Sequence, residues 1–217
     1  MDFYRKLLLF GFIYLLFGFS VYSSSNTFEG YISFVKETHY DTIHITFHVK
    51  DEKVRIDQHF NDGTILNSLL IDIPKEEVVA VDPVKKMYRV LNLSEETRKI
   101  SANRFVIKKT GNHKMIEGKE CYQWRVKDKT TNSEIAYWVT QNNLDFMNDV
   151  IQLISKTDRI YKFFSLIPGT DGFFPVLSVE RTLLRKERQR IMVQSINHQD
   201  VKDHLFTIPS SYVAVKR

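Results

Sequence analysis

Seven histidines and one cysteine are the residues of this 217-residue chain with the widest chemical reach. His44 and His48 stand four apart, a spacing that on a helix would turn both rings toward one metal ion. Their neighbours argue against it. Ile43, Ile45, Phe47 and Val49 alternate with His44, Thr46, His48 and Lys50, the period of a half-buried strand. Four strand residues span about 13 Å, too far for one ion to join two imidazoles without other partners. Both rings therefore read as solvent-facing. Cys121 lies in Gly118-Lys119-Glu120-Cys121-Tyr122-Gln123-Trp124. A nucleophilic thiolate needs a base and a depressed pKa, and a small buried core residue is the expected reading. Gly-x-Ser-x-Gly, Walker, His-Glu-x-x-His and Cys-x-x-Cys patterns do not occur. A lone cysteine excludes an intramolecular disulfide. No catalytic residue, metal ligand or cofactor is assigned, and the protein is expected not to be an enzyme.

The informative chemistry is apolar. Tyr161-Lys162-Phe163-Phe164-Ser165-Leu166-Ile167-Pro168 runs into Gly169-Thr170-Asp171-Gly172 and then Phe173-Phe174-Pro175. Gly and Pro mark the stretch as a loop, yet it carries four phenylalanines. Loops run over the surface, so one this apolar must either pack into the core or cover a cavity. Just before it, Leu144, Phe146, Met147, Val150, Ile151, Leu153 and Ile154 have helical spacing over Asn143–Ile154. Phe146, Met147, Val150, Ile154, Phe163, Phe164, Phe173 and Phe174 are thus the candidate contacts for a hydrophobic ligand. Two readings stand side by side. In one, the segment is a lid, with Gly169 and Gly172 absorbing backbone rotation; in the other, it completes the core permanently.

These residues need a frame, and the composition points to strands. Phe (16) and Tyr (10) are abundant, while Gly (8) and Pro (5) are scarce. Apolar residues make up 43% and charged residues 26%, which excludes disordered and collagen-like chains. Strands are expected at Phe28–Glu37, around Ile43–Val49 and Val54–Phe60, and at Ile65–Ile71, Val78–Val81 and Met87–Leu93. More follow at Arg104–Lys109, Glu120–Lys127, Ile135–Thr140, Leu177–Leu184 and Ile191–Ile196. Asn61-Asp62-Gly63 is a hairpin turn. That makes about ten or eleven strands, mainly antiparallel because the connectors are too short for crossovers. A second short helix is expected at Gln199–Leu205. Phe206, Ile208 and Tyr212 should anchor the C-terminus, with the Phe206 ring buried. Arg185-Lys186-Glu187-Arg188-Gln189-Arg190 falls between two strands, as a solvated hairpin tip or as a contact for anionic headgroups or an acidic partner. The net charge of +5 comes from mixed signs, and no nucleic-acid motif accompanies it.

Residues 1–23 read as a signal peptide. Arg5 and Lys6 precede an uncharged run from Leu7 to Val21, short of the roughly 20 residues a bilayer needs. Small residues then follow, so cleavage is expected after Ser23, with Ser25 as the alternative. Residues 24–217 form a single β-rich domain. No cysteine is available near the cleavage point for lipidation.

Several local patterns follow one another along the chain. They are Phe28-x-Gly30, Lys53-Val54-Arg55-Ile56-Asp57, and Asp82-Pro83-x-x-Lys86-x-Tyr88. Next come Thr110-Gly111 through Ile116-x-Gly118-x-x-Cys121, then Tyr137-Trp138-Val139-Thr140 and Phe206-x-Ile208-Pro209-x-x-Tyr212. Together they resemble a family of exported bacterial domains of unknown function (DUF), of the LolA/LolB-like lipoprotein-carrier type. The resemblance covers about residues 27–215. It implies a mainly β protein: a curved antiparallel sheet or incomplete barrel with one or two covering helices. In lipoprotein carriers that concavity holds acyl chains, and no catalytic residues accompany the family. The expected protein is therefore exported, in the periplasm or envelope of a Gram-negative bacterium. It would bind a lipid or lipoprotein acyl chains on the concave face and could touch the membrane surface. The alternative is a structural or interaction module of the envelope with a filled core. N-terminal sequencing of exported material should begin at Ser24, or at Asn26 with the alternative site. Material keeping Met1 in a membrane fraction would overturn the processing.

Overall fold

The alternation at Ile43–Val49 is realised in full. Ile45, Phe47 and Val49 are buried, and His44 is exposed. The computed structural model describes residues 28–93, 104–141 and 144–215; the expected signal segment lies outside the described residues. Six strands form a first meander: β1 (Gly30–Thr38), β2 (Thr42–Lys50), β3 (Lys53–His59), β4 (Ile65–Asp72), β5 (Glu77–Asp82) and β6 (Met87–Val90). A second group contains β7 (Phe105–Ile116), β8 (Lys119–Asp128), β9 (Ser133–Gln141), β10 (Phe173–Thr182) and β11 (Glu187–His198). A two-residue strand, β12 (Val213–Ala214), ends the series. All join one sheet in the order β12-β6-β5-β4-β3-β2-β1-β11-β10-β9-β8-β7. The sheet is curved and open, as expected. Every pairing is antiparallel except β12 with β6, which is parallel.

Turn chemistry sets the register. Between β3 and β4, Gly63 takes φ +82°, and Asp62 accepts a bond from the Thr64 N–H at 2.9 Å. This is the expected hairpin. Between β2 and β3, Asp51 and Glu52 both take positive φ, as a two-residue hairpin turn demands.

The helices lie between β9 and β10. Helix α1 (Phe146–Ile154) buries Met147, Val150, Ile151 and Ile154 along one stripe. Helix α2 (Arg159–Phe164) was not expected, because Pro168 and Gly169 suggested a loop throughout. The loop begins only after Phe164. Asp158 starts the helix by accepting the Ile160 N–H at 2.8 Å, a side-chain cap worth about 1 kcal/mol. The two helices rest on the sheet's inner face, where Ile32, Phe34, Phe47, Val54, Ile56, Trp124, Tyr137 and Val176 complete one core.

The C-terminal expectations need correction. The second short helix is a 3-10 turn at Asp203–Phe206. Phe206, Ile208 and Tyr212 are only half-buried. Polar contacts on the outer face hold this segment instead: Lys50 Nζ donates to the Val201 carbonyl (2.9 Å) and Arg55 Nη1 to the Leu205 carbonyl (3.0 Å). Arg55 also pairs with Asp57 at 2.8 Å.

Gly30 is the tightest backbone position. Its φ is +151°, and a Cβ there would stand 2.0 Å from the Asn197 carbonyl oxygen on β11. That contact is backbone and cannot step aside. Gly30→Ala should cost about 3 kcal/mol in urea melts, from strain and overpacking together. Gly111→Ala, where the added atom meets nothing within 4 Å, should stay within about 0.5 kcal/mol of wild type.

Candidate functional site

All eight residues expected to contact a ligand gather on the concave face. Met147, Val150, Ile154, Phe163, Phe164 and Phe174 are buried, while Phe146 and Phe173 are partly buried against the same core. Phe173 and Phe174 were expected in the loop but open β10, paired with Gln141 and Thr140 of β9. Aromatic contacts tie the helices and this strand start to the rest of the sheet. Phe164 packs 5.2 Å from the Tyr137 ring, Phe163 5.1 Å from Phe105, and Phe173 4.9 Å from Trp124. Phe174 and Phe146 meet β1 and its approach through Phe34 and Phe28. Gly169 is reached from the sheet by Lys109, whose Nζ donates to its carbonyl at 2.9 Å and lies 4.1 Å from the Trp124 ring centroid.

One gap remains under this cover. A cavity of about 430 Å³ lies between the helix pair and β1–β5 and β11. Its apolar wall is Ile45, Ile56, Leu69, Ala80, Ile154 and Ile191; its polar wall is Lys36, Gln58, Asn67, Ser68, Thr157, Asp158 and Tyr161. Of the eight expected residues, Ile154 faces it directly. The sheet-borne residues were missed, although period two offered a signal. Val54, Ile56 and Gln58 share one parity, as do Asn67, Leu69 and Ile71, so Gln58 and Asn67 are polar residues at core-facing positions. Lys36 Nζ donates to Asp158 Oδ2 at 2.5 Å. Burial pushes the Tyr161 phenol up, so it stays protonated. A larger hollow, about 760 Å³, lies at the β6–β12 edge near Leu93, where the described residues stop.

Charges fasten α2 to the sheet rim. Arg159 reaches Asp128 Oδ2 (3.5 Å) and Glu180 Oε1 (3.4 Å), and it also donates to Thr131 Oγ1. Asp128 is fully buried. Arg104 donates to both of its oxygens, at 2.8 and 3.1 Å. With the Thr130 hydroxyl and N–H, it holds this carboxyl well below the usual carboxylate range. On the inner side, the Tyr137 hydroxyl donates to the Ile160 carbonyl at 2.6 Å.

The other sequence candidates lie elsewhere. Cys121 is buried, and burial pushes its thiol up, as a core residue requires. His44 and His48 occupy the outer face, bonded to Asn61 (3.0 Å) and near Asp57 (3.5 Å). Among the described residues, no three His, Cys, Asp or Glu side chains gather as metal ligands. The basic stretch is a hairpin tip only at Arg185 and Lys186; Glu187–Arg190 already belong to β11, where Glu187 pairs with Arg190 (2.6 Å) and with Arg181 of β10 (3.4 Å).

The sequence profile of a domain of unknown function, DUF4412, matches residues 28–212. The chain belongs to this family. Its fold carries the family resemblance drawn from the ordered motifs, from Phe28-x-Gly30 to Tyr212. No curated protein matches the sequence. Among solved structures, an uncharacterized conserved protein from Thermus thermophilus aligns with a TM-score of 0.55 and 7% identity, over 86% of this chain and 89% of that one. MucB in complex with MucA(peri) aligns at 0.49 and 10%, over 86% of this chain and 56% of that one. A putative outer membrane lipoprotein-sorting protein domain from Vibrio parahaemolyticus aligns at 0.30 and 7%, over 81% and 87%. At these identities the likeness concerns the fold alone.

The Asp128 anchor generates a pH dependence. Its folded-state pKa is depressed, so its stabilisation is fully present above the unfolded value of about 3.9 and is lost as pH falls through the folded value. The wild-type urea midpoint should therefore fall on acidification more steeply than that of Asp128→Asn. At pH 7 the variant should be less stable by about 2–3 kcal/mol, since its arginine partners are partly exposed. Parallel pH profiles would show that Asp128 is not the anchor.

Proposed function

We propose that this protein is an exported, non-enzymatic component of the Gram-negative envelope that binds a lipid or the acyl chains of a lipoprotein on the concave face of its sheet. The observation that carries the reading is the cavity of about 430 Å³ between the helix pair and the sheet. It lies within the roughly 300–1,000 Å³ range of small-molecule sites and combines an apolar wall with a few convergent polar groups. Burial of an acyl chain there would contribute roughly 25 cal/mol per Å² of apolar surface and needs no catalytic group.

A short chain would fit beside Ile154. A longer one would displace part of the cover, Phe146, Met147, Val150, Phe163 and Phe164, and lie against Phe173 and Phe174 of the sheet in its place. The apolar side chains of α1 and α2 match an acyl chain in kind, so the exchange costs little apolar burial. Export is supported by Arg5 and Lys6 ahead of the uncharged run from Leu7 to Val21. No helix among the described residues is long and apolar enough to cross a membrane.

A second reading, an interaction module with a filled core, is favoured by the burial of six of the eight expected contacts. Hydrogen exchange separates the two. A ligand site predicts that amides of 144–174 exchange faster than those of the strands and slow when an acyl lipid is added. Native mass spectrometry should show lipid retained through purification. Strand-like protection across 161–174, unchanged by lipid, would leave the filled-core module.

A further inference from the structure

The concave cavity contains two formal charges, and they cancel. Lys36 and Asp158 form one ion pair at 2.5 Å, with side chains only 19% and 17% exposed. Asp158 is also fixed by the Ile160 N–H at 2.8 Å, so its carboxylate is held in place from two sides. No other charged side chain is in the cavity wall among the described residues. The remaining polar groups are neutral. Asn67 Nδ2 donates to Gln58 Oε1 at 3.4 Å, Thr157 Oγ1 donates to the Ile154 carbonyl at 2.7 Å, and Tyr161 presents a phenol.

An anionic headgroup entering here would face a choice with no good outcome. It could displace Asp158 from Lys36 and break the helix cap, or it could sit beside a carboxylate where the effective dielectric is low and like charges repel strongly. A hydroxyl or amide headgroup meets donors and acceptors already in place and disturbs neither charge. Rejection of a competitor by an unfavourable charge is a general route to specificity.

We propose, building on the ligand-binding reading above, that the cavity selects an uncharged amphiphile, an acyl chain ending in hydroxyl or amide groups, and that Asp158 is the residue that turns anionic amphiphiles away.

Calorimetric titration of the full chain with two ligands of equal chain length, monooctanoylglycerol and octanoate, tests this at pH 8, where octanoate is ionised. The neutral ligand should bind at least about tenfold more tightly. Asp158→Asn keeps a good helix cap, because Asn and Asp cap about equally well, and leaves Lys36 without its counter-charge. The affinity ratio of octanoate to monooctanoylglycerol should then rise by about tenfold or more. Octanoate binding as tightly as the neutral ligand to wild type would overturn the selectivity and leave the ligand reading intact. A ratio unchanged by Asp158→Asn would overturn the role of Asp158. Failure of both ligands to bind wild type would remove the ligand reading and this inference together. Should the variant fail to fold, the wild-type ratio still decides the selectivity, and Lys36→Gln, which keeps the Asp158 cap and removes its counter-charge, tests the residue. Octanoate should then weaken further relative to monooctanoylglycerol, and an unchanged ratio would overturn the role of Asp158.

Discussion

A single sheet layer has no second sheet to lie on, so everything in this protein follows from keeping one curved apolar face dry. Among the described residues, twelve strands form the sheet, and two short helices with the loop after them cover its inner face. Helices of nine and six residues are too short to be stable alone. Their order must come from what they touch. Apolar contact supplies the driving force through the stripe of Met147, Val150, Ile151 and Ile154, while direction comes from charge. Arg159 is drawn to Asp128 and Glu180, and Asp158 to Lys36, at the rim where the second helix begins. Apolar burial is nondirectional; the ion pairs fix where the pair of helices comes to rest.

The cavity is a by-product of that placement. Helix α2 covers β7 and β9 with aromatic rings, Phe163 against Phe105 and Phe164 against Tyr137, and within the sheet Phe173 of β10 packs on Trp124 of β8. Over β3 to β5 the inward residues are smaller or polar, with Ala80, Asn67 and Gln58 where aromatic rings would have closed the space. Rigid covering at one end and an unfilled corner at the other are two results of one distribution of side-chain volume.

Much of this was legible in residue order. Strict alternation at Ile43–Val49 gave β2, Asp62-Gly63 gave a hairpin, and the spacing of Met147, Val150 and Ile154 gave the first helix, because each signal is local and needs no distant partner. The second helix was hidden by the Pro168 and Gly169 that follow it, and only the Asp158 cap announced it. Strand β7 runs on to Ile116, past the expected end at Lys109, through an irregular pairing between Lys109 and His113. The eight apolar contacts were identified as a group, yet the polar wall was not. Lys36 and Asp158 are far apart in sequence, and no local pattern reports that one strand and the start of a helix bring them within bonding distance. Whether Phe206 is buried likewise depended on a neighbour supplied by the rest of the fold.

The strand order carries a kinetic consequence. Strands β1 to β6 are joined by successive hairpins, and so are β7 to β9. Each such hairpin closes a short loop and can form early. The seam is different: β1 pairs with β11, bringing Gly30 beside His198. The entropy lost in closing a loop grows with its length, and topologies rich in distant pairings fold slowly. The two meanders can therefore assemble while the seam is still open, but the concavity between them exists only after nearly the whole chain has arrived. The cavity is a property of the finished molecule, shared across strands from both halves and unavailable to either half alone.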